Sequence, residues 1–545
     1  MSAEERPLLE RQRSDRSPSS EDGDPEDQGG EEAGLRGGTG RGNYDRYQRL
    51  RELGLFAWAL IATVVIIVLA VVIQHERGIK HSDRGRSGDG PGTAHPAGKR
   101  NMIFMVSDGM GPASLSLTRS YRQYQHGLPY NNTLVLDKHL IGSSRTRSSS
   151  SLVTDSAAGA TAFGCGHKSY NGAIAVLPDE SPCGTVLEAA KAAGYMTGLV
   201  VTTRITDATP ACFASHAVRR DLEDLIAEHL IGNYPLGRTV DLILGGGRCH
   251  FLPNTTKGSC RGDSKDVLSL AQDNGFSYID SKEELDNLDF GTAVKLPLLG
   301  LVASTDIPFE IDRIHSPELY PSQAEMTKLA LKALSAATKD SDKGFFLMVE
   351  GSLIDHTGHA NDPAAQVHEV LAHDEAFAEI LDFVKNDDNP GVLVGTSDHE
   401  TGGLTTALEL PPEPPGYYWL PEVLARASHS TVYLQDRWME WLDGEGSLAN
   451  RHIKRNFVLE KLIREGLGIE DATDADADTV IDAGASRPAA FVLSEIISNK
   501  ARVGWTTHGH TGTFAYFLSL HPSFLLPFLF LPSPSHSAYD FQSSY

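Results

Sequence analysis

The chain has 545 residues, 40% of them hydrophobic, and a formal net charge of −24 at pH 7. Its length exceeds one minimal domain, and its composition is ordinary for a globular protein. The acidic balance argues against nucleic acid as a partner, because a phosphate backbone selects basic surfaces. An acidic protein that handled phosphate would have to concentrate positive charge locally, through metal ions or a placed arginine.

The first 99 residues predict a membrane-anchored arrangement. Residues 1–52 are rich in charged residues, glycine and serine, which predicts a disordered cytosolic tail. Residues 53–73 form an uncharged apolar run that is long enough to cross a bilayer, so we expect one N-terminal transmembrane helix; the alternative is a buried core helix. Residues 74–99 are rich in glycine, serine and arginine and predict a stalk.

Basic residues flank the predicted span too evenly to orient it. Two glycosylation sequons, at Asn131 and Asn254, lie on its C-terminal side and indicate a lumenal domain there. Two local cysteine pairs, Cys165 with Cys183 and Cys249 with Cys260, predict disulfides in an oxidising lumen, which leaves Cys212 unpaired; the alternative is five reduced cysteines. In the tail, residues 4–9 resemble an acidic dileucine signal that a sorting adaptor would bind, although an unstructured tail is an equal alternative.

From residue 101 onward, apolar strands alternate with helices. The predicted strands are 102–106, 197–203, 240–244, 345–349 and 392–395, and the predicted helices are 185–193, 221–230, 322–336 and 364–384. Continuous apolar strands separated by helices predict an α/β fold with a mostly parallel central sheet and helices on both faces. Residues 401–487 are proline-rich and acidic in places and predict an inserted lobe.

Three carboxylates follow predicted strands: Asp108, Glu350 and Asp398. The carboxyl ends of parallel strands meet at one edge of a sheet, and a buried carboxylate is costly unless a cation compensates it. Imidazoles accompany these acids, because His399 is adjacent to Asp398 and His359 lies four residues after Asp355, on one helix face. His510 supplies another, and together these residues are typical of a metal centre with oxygen and nitrogen ligands; isolated structural histidines are the alternative.

Ser156 follows Asp155 at the predicted start of a helix, where backbone N–H groups favour an anion. The chain lacks the GxSxG elbow of serine esterases, and no histidine stands out as a triad base. Because a serine needs a base or a metal to react, metal activation is the economical interpretation. Arg220, which follows Asp207 and Thr209, could clamp two phosphoryl oxygens; alternatively, it is a surface arginine.

Six blocks of sequence together resemble the alkaline phosphatases. They are 101–111 (NMIFMVSDGMG), 153–163 (VTDSAAGATAF), 206–211 (TDATPA), 349–359 (VEGSLIDHTGH), 396–403 (TSDHETGG) and 505–512 (WTTHGHTG). Their order and spacing match that family across residues 100–512, the predicted catalytic domain. The anchored architecture is also similar to that of the vacuolar fungal members. This resemblance implies small phosphomonoester substrates, a homodimer, and a single-pass protein of the vacuolar membrane with its catalytic domain in the lumen.

The resemblance also implies a role for each matching residue. Ser156 would be the nucleophile that becomes phosphoserine, Arg220 would grip the phosphate, and Asp155 would support them. Two zinc ions and one magnesium ion per subunit are implied. The implied ligands are Asp355, His359 and His510 for one zinc, Asp108, Asp398 and His399 for the other, and Asp108, Thr209 and Glu350 for magnesium, with Asp207 in the magnesium water shell.

Residues 513–545 depart from the family pattern. Family members continue after this point with a further strand and a closing segment, whereas this chain is rich in proline, serine and leucine. We therefore expect the strand that supports His510 to be missing. The sequence predicts metal-dependent hydrolysis of phosphate monoesters. The alternatives are a phosphodiesterase or sulfatase of the same superfamily, or a catalytically impaired isoform that only binds.

Overall fold

The computed structural model describes residues 98–519 except 292, 411–415 and 485, together with Trp58 and Thr63. The predicted cytosolic tail, almost all of the predicted span and stalk, and residues 520–545 lie outside the described residues. Among those that are described, no helix combines the length and the apolar character that a membrane crossing requires.

A large central sheet organises the described part of the chain. Its strands are β1 (Asn101–Val106), β2 (Leu140–Ser144), β3 (Met196–Arg204), β4 (Leu242–Gly246), β5 (Ser277–Ile279), β6 (Leu298–Leu301), β7 (Phe345–Glu350), β8 (Gly391–Thr396) and β13 (Ala515–Ser519). The spatial order is β2-β13-β8-β1-β7-β3-β4-β6-β5. From β8 to β5 every neighbouring pair is parallel, and only β13 runs antiparallel to its neighbours. The predicted mostly parallel sheet is confirmed.

Four short strands form two small antiparallel ladders beside this sheet. They are β9 (Glu400–Thr401), β10 (Thr405–Thr406), β11 (Val503–Gly504) and β12 (His510–Thr511). β10 pairs with β11, and β9 pairs with β12.

The strand β13 corrects one expectation from the sequence. Residues 515–519 pair antiparallel with both β2 and β8, so a strand does follow His510 and is part of the central sheet. The side chains of Ala515 and Leu518 are buried there. The sequence did not indicate this strand, because its apolar run continues into the proline-rich segment that follows it.

Helices cover both faces of the sheet. They are α1 (Pro112–Gln125), α2 (Ser156–Cys165), α3 (Val186–Ala192), α4 (Ala208–Ala214), α5 (Glu223–Leu230), α6 (Val267–Asp273), α7 (Lys282–Asp286), α8 (Glu310–Arg313), α9 (Gln323–Ala337), α10 (Leu353–Ala360) and α11 (Pro363–Asn386). The four predicted helices correspond to α3, α5, α9 and α11, with ends shifted by at most two residues.

Strand β7 shows why a continuous apolar run predicts a strand of a parallel sheet that is covered on both faces. Leu347 and Val349 pack into the core on one face, whereas Phe346 and Met348 pack into the core on the other. Successive side chains of a strand point to opposite faces, so a strand with helices on both sides is apolar at every position.

The chain from 421 to 501 forms a helical region with its own core, which includes Leu434, Trp438 and Leu493. Its helices are α12 (Pro421–Leu424), α13 (Thr431–Asp443), α14 (Arg451–Phe457), α15 (Glu465–Leu467), α16 (Asp474–Ile481) and α17 (Ala489–Ala501), with a π-helical turn at Val458–Arg464.

Both predicted disulfides are present, Cys165–Cys183 and Cys249–Cys260, and Cys212 is free and buried.

Candidate active site

Four carboxylates gather at the carboxyl end of the sheet, three of them buried and Asp207 partly buried. Asp108 follows β1, Asp207 follows β3, Glu350 ends β7 and Asp398 follows β8. Because β8, β1, β7 and β3 are consecutive neighbours, these acids lie on one edge, as expected for a parallel sheet. The turn after Asp108 needs Gly109, whose φ is +72° and whose added Cβ would lie 2.6 Å from the Cα of Asp355.

Asp108, Asp398 and His399 form the first group, here called the Asp108 cluster. The Nε2 atom of His399 lies 3.1 Å from Asp398 Oδ2 and 3.6 Å from Asp108 Oδ1. Asp398 Oδ2 and Asp108 Oδ1 are buried and accept no hydrogen bond from the described residues. Several electron-rich atoms therefore face one another, which is the environment that a cation stabilises.

Asp355, His359 and His510 form the second group, here called the His359 cluster. Helix α10 carries Asp355 and His359 on one face, as the four-residue spacing predicts, and His359 Nε2 lies 3.2 Å from Asp355 Oδ2. His359 Nε2 also lies 3.1 Å from His510 Nε2, and His510 Nε2 lies 3.6 Å from Asp355 Oδ1. Three potential ligand atoms thus converge on one point.

The ladder of β9 with β12 brings His510 to the site. His510 is paired with Thr401, two residues after His399, and the imidazoles of His399 and His510 stack with centroids 3.5 Å apart. His508, which belongs to the same sequence block, contributes differently. Its ring stacks on Phe491, while its carbonyl accepts a hydrogen bond from His359 Nδ1.

Hydrogen bonds to backbone carbonyls fix which nitrogen of each imidazole points towards the other ligand atoms of the His359 cluster. His359 Nδ1 donates to the His508 carbonyl at 2.5 Å, and His510 Nδ1 donates to the Thr154 carbonyl at 2.8 Å. Each neutral ring therefore carries its lone pair on Nε2. Two lone pairs 3.1 Å apart repel unless a proton or a metal ion lies between them, so this geometry also fits a cation.

Thr401 connects the two clusters, a role that sequence reasoning missed. Its hydroxyl donates to Asp355 Oδ1 and lies 3.2 Å from His399 Nδ1. Because its single hydrogen goes to Asp355, the Thr401 oxygen accepts from His399 Nδ1, which leaves the lone pair of His399 on Nε2. The adjacent Gly402-Gly403 marked a turn here, but nothing in the sequence showed where a threonine hydroxyl would point.

Ser156 is the first residue of α2 and lies beside the Asp108 cluster. Its Oγ atom is 3.1 Å from His399 Nε2, and the residue is only 3% exposed. Asp155 caps the helix by accepting from the Ala158 N–H at 2.9 Å. The hydroxyl thus lies at a helix N-terminus, where N–H groups favour an anion.

Arg220 is held by two carboxylates, one of which is Asp155, the residue before Ser156. Its Nη2 atom donates to Asp207 Oδ1 at 2.9 Å, and its Nη1 atom lies 3.7 Å from Asp155 Oδ2. Burial alone would lower the pKa of Arg220, but the charges of Asp207 and Asp155 raise it, so the guanidinium stays charged. Its side chain is still 37% exposed, which leaves donors available to a ligand.

Thr209 and Glu350 adjoin the Asp108 cluster. The Thr209 hydroxyl lies 3.5 Å from Asp108 Oδ2, and it also interacts with the carboxylate of Glu350. Glu350 accepts from the Ser352 hydroxyl at 2.6 Å. This arrangement offers carboxylate and hydroxyl oxygens, the ligands that magnesium prefers.

The electrostatics of the site favour the binding of a cation. Burial, followed by the charges of Asp398 and Asp355, raises the pKa of Asp108 well above its usual value. Burial raises the pKa of Glu350 to about 8, although the hydrogen bond from Ser352 opposes the shift. Burial also lowers the pKa of His399 to about 4, so this imidazole is neutral and free to act as a ligand near neutral pH.

The remaining candidates are more exposed. Asn131 and Asn254 are both accessible, as a glycosylation site requires, and the Asn254 side-chain amide donates to the Gly262 carbonyl at 3.1 Å. A third set of potential metal ligands, Cys249, His250 and Cys260, offers no thiolates because its two cysteines are joined in a disulfide.

The chain is similar to known alkaline phosphatases in sequence. The family model for alkaline phosphatase matches residues 99–516. The chain is 54% identical over 425 residues to the repressible alkaline phosphatase of Saccharomyces cerevisiae, covering 76% of this chain and 74% of that protein. It is 45% identical over 462 residues to an alkaline phosphatase of Schizosaccharomyces pombe, covering 83% and 81%.

A solved structure is also similar. The alkaline phosphatase of Thermus thermophilus superposes with a TM-score of 0.63 at 27% identity, covering 80% of this chain and 90% of that one.

Proposed function

The chain belongs to the alkaline phosphatase family and hydrolyses phosphate monoesters, and we propose that it does so with Ser156 as the nucleophile. The observation that carries this proposal is the position of the Ser156 hydroxyl. It lies 3.1 Å from His399 Nε2, at a helix N-terminus and beside a cluster of potential metal ligands.

The family depends on metals, and the orphaned carboxylate oxygens described above fit cations. We propose two zinc ions and one magnesium ion per subunit. Asp355, His359 and His510 would hold one zinc ion, and Asp108, Asp398 and His399 would hold the other. Asp108, Thr209 and Glu350 would hold magnesium, with Asp207 acting through water. When bound, these cations supply the Lewis acidity that activates a serine hydroxyl and neutralises a phosphoryl group.

The protein's own residues then account for binding and transfer. The guanidinium of Arg220, fixed by Asp207 and Asp155, donates to two oxygens of the phosphoryl group. The Ser156 hydroxyl gives up its proton to solvent and its oxygen attacks phosphorus. The bond to the alcohol breaks, the alcohol leaves with a proton from solvent, and a phosphoserine forms at the start of α2. Water then cleaves the phosphoserine, which releases inorganic phosphate and restores the hydroxyl. The N–H groups of the first helical turn favour the negative charge throughout.

The replacement of Ser156 tests the nucleophile. We expect Ser156→Ala to reduce turnover of p-nitrophenyl phosphate by roughly a thousandfold or more, whereas Ser264→Ala, at an exposed serine, leaves it unchanged. Radiolabelled phosphate should be trapped on the wild-type chain but not on Ser156→Ala. Unchanged turnover in Ser156→Ala would refute the assignment, and faster turnover of a diester than of a monoester would favour the phosphodiesterase alternative.

Metal removal tests the cofactors. A chelator should abolish activity, and zinc together with magnesium should restore it. Full restoration by magnesium alone would exclude the proposed pair of zinc ions.

We also propose the architecture that the sequence predicts: an anchor at 53–73, a cytosolic tail that recruits a sorting adaptor, and a glycosylated lumenal catalytic domain at the vacuolar membrane. Alkaline carbonate should leave the full chain in the membrane pellet. Glycosidase should increase its mobility on a gel, and Asn131→Gln with Asn254→Gln should remove that shift.

We propose a homodimer, for which sedimentation should give twice the chain mass of 58.9 kDa.

A further inference from the structure

Three cationic side chains form an exposed group on the loops beside Ser156. They are Arg145, Arg147 and Lys168, here called the Arg145 patch, and each is exposed. Within the described part of the chain, none of the three has a carboxylate within salt-bridge distance. By contrast, Arg204 contacts three acids, Asp207, Glu223 and Asp306. Three such cations close together form a positive region on a chain whose net charge is −24.

The backbone holds these charges on one side. The segment that continues β2 alternates exposed Arg145 and Arg147 with buried Thr146 and Ser148, so the two arginines point the same way. Lys168 reaches this segment from a second loop, where its Nζ atom donates to the Arg145 carbonyl at 3.5 Å. The two loops are joined by the Ser149 N–H, which donates to the Ser169 carbonyl at 2.9 Å.

The repulsion among the three cations affects the pKa of Lys168. Partial burial lowers its pKa, and the charges of Arg145 and Arg147 lower it further. Like charges without partners repel, and an anion placed among them relieves that repulsion.

The loops that carry the patch also position the catalytic serine. Asn171 receives a hydrogen bond from the Asp155 N–H at 3.4 Å and donates to the Val153 carbonyl at 3.1 Å. The Gly172 N–H donates to Asp155 Oδ2 at 2.8 Å. The patch therefore lies on the loops that fix Asp155, the cap of the helix that begins with Ser156.

The patch also borders the segment that carries His510. The Thr146 hydroxyl, between the two arginines, donates to the Thr513 carbonyl at 3.2 Å, three residues after His510. The two loops therefore contact both the residue that precedes Ser156 and the segment that follows His510.

We propose that the Arg145 patch is a second anion-binding subsite, which binds the distal phosphate of phosphomonoester substrates that carry two phosphate groups. This inference rests on the proposed function, because it requires the first phosphate to lie at Ser156. Phosphate is the preferred anion, since arginine donors match its oxygens in pairs and the three cations can neutralise its roughly two negative charges.

The test compares glucose 1,6-bisphosphate with glucose 6-phosphate, which differ by one phosphate. The variant combines Arg145→Gln, Arg147→Gln and Lys168→Gln. We expect kcat/KM for the bisphosphate to fall roughly tenfold at low salt, mainly through KM, because each exposed pair contributes little by itself. We expect kcat/KM for glucose 6-phosphate to change less than twofold.

The matched control removes three charges elsewhere, through Lys257→Gln, Lys295→Gln and Lys339→Gln at exposed positions. It should leave both substrates unaffected. The difference between the two triple variants should shrink at about 0.5 M salt, where exposed charges are screened.

Three results would overturn the inference while leaving the proposed function intact: no change for either substrate, an equal fall for both, or the same selective loss in the control. Binding to phosphatidylserine vesicles that the variant loses, with unchanged bisphosphate selectivity, would assign the patch to a membrane surface instead. The wild-type rate on glucose 6-phosphate tests the proposed function independently, because this substrate has no second phosphate.

Discussion

The two ligand clusters differ in burial and in charge. In the Asp108 cluster, the side chains of Asp398 and His399 are fully buried and that of Asp108 is 10% exposed. In the His359 cluster, the side chain of His359 is 39% exposed. The Asp108 cluster contains two carboxylates and one neutral imidazole, whereas the His359 cluster contains one carboxylate and two imidazoles.

We therefore expect a cation in the Asp108 cluster to matter to both the fold and the reaction, and a cation in the His359 cluster to matter chiefly to the reaction. In the Asp108 cluster each carboxylate buries one oxygen that accepts no hydrogen bond from the described residues, which is costly, so this cluster destabilises the protein until a cation compensates it. The His359 cluster is already held without a cation, because backbone carbonyls orient both imidazoles and Asp355 accepts from Thr401. Changes in the two clusters should therefore separate stability from activity.

The largest effect should follow Asp108→Asn. Asp108 belongs to the cluster that adjoins Ser156, so we expect activity to fall by roughly a thousandfold. At the same time the metal-free protein should melt at a higher temperature than the metal-free wild type, because a buried charge and its repulsion with Asp398 are removed. Calorimetry of chelator-treated protein measures this. Asp342→Asn, at a side chain that is 88% exposed, is the control.

A lower melting temperature for metal-free Asp108→Asn would contradict the view that the empty cluster is destabilising.

In the other cluster, His359→Gln should lower activity without changing the stability of the metal-free protein. We expect a loss of activity of roughly a hundredfold that added zinc partly restores, because one of three potential ligand side chains is replaced. The melting temperature of the metal-free protein should change little, since His359 is partly exposed. His167→Gln, at an exposed histidine on another loop, serves as the control. A large fall in metal-free stability would show that the His359 cluster is also structural.

The stability of the metal-free protein should depend on pH because of Glu350. Burial raises the pKa of Glu350 from 4.5 to about 8, so between those values the folded state binds more protons than the unfolded state. Stability should therefore fall as pH rises from about 5 to about 8, by at most about 5 kcal/mol from this group. Urea unfolding of chelator-treated protein measures the trend, and Glu350→Gln should flatten it. An equally steep trend in Glu350→Gln would locate its origin elsewhere.

The sequence predicted much of the arrangement of the two clusters. Apolar runs ending in Asp108, Glu350 and Asp398 predicted parallel strands whose ends meet, and the four-residue spacing of Asp355 and His359 predicted a shared helix face. These signals are local, because a strand or helix fixes where its own side chains point.

What sequence could not show depends on contacts between distant segments. The pairing of His510 with Thr401 joins residues more than a hundred positions apart, and neither two-residue strand has a recognisable pattern. The strand β13 was missed for a related reason, since its position between β2 and β8 is set by partners far along the chain. The Arg145 patch likewise exists only because two loops meet.

The smallest effect that we predict concerns the contact between the clusters. Thr401 donates to Asp355 and accepts from His399 Nδ1, so it holds one ligand of each cluster. Thr401→Val keeps the shape but removes both hydrogen bonds, and the His399 ring can then present N–H instead of a lone pair at Nε2. We expect zinc affinity to fall about tenfold, the lower range for residues that orient metal ligands. Thr401→Ser should restore it, whereas Thr405→Val, at an exposed threonine, should have no effect. If Thr401→Val binds zinc as tightly as the wild type, the two clusters are oriented independently.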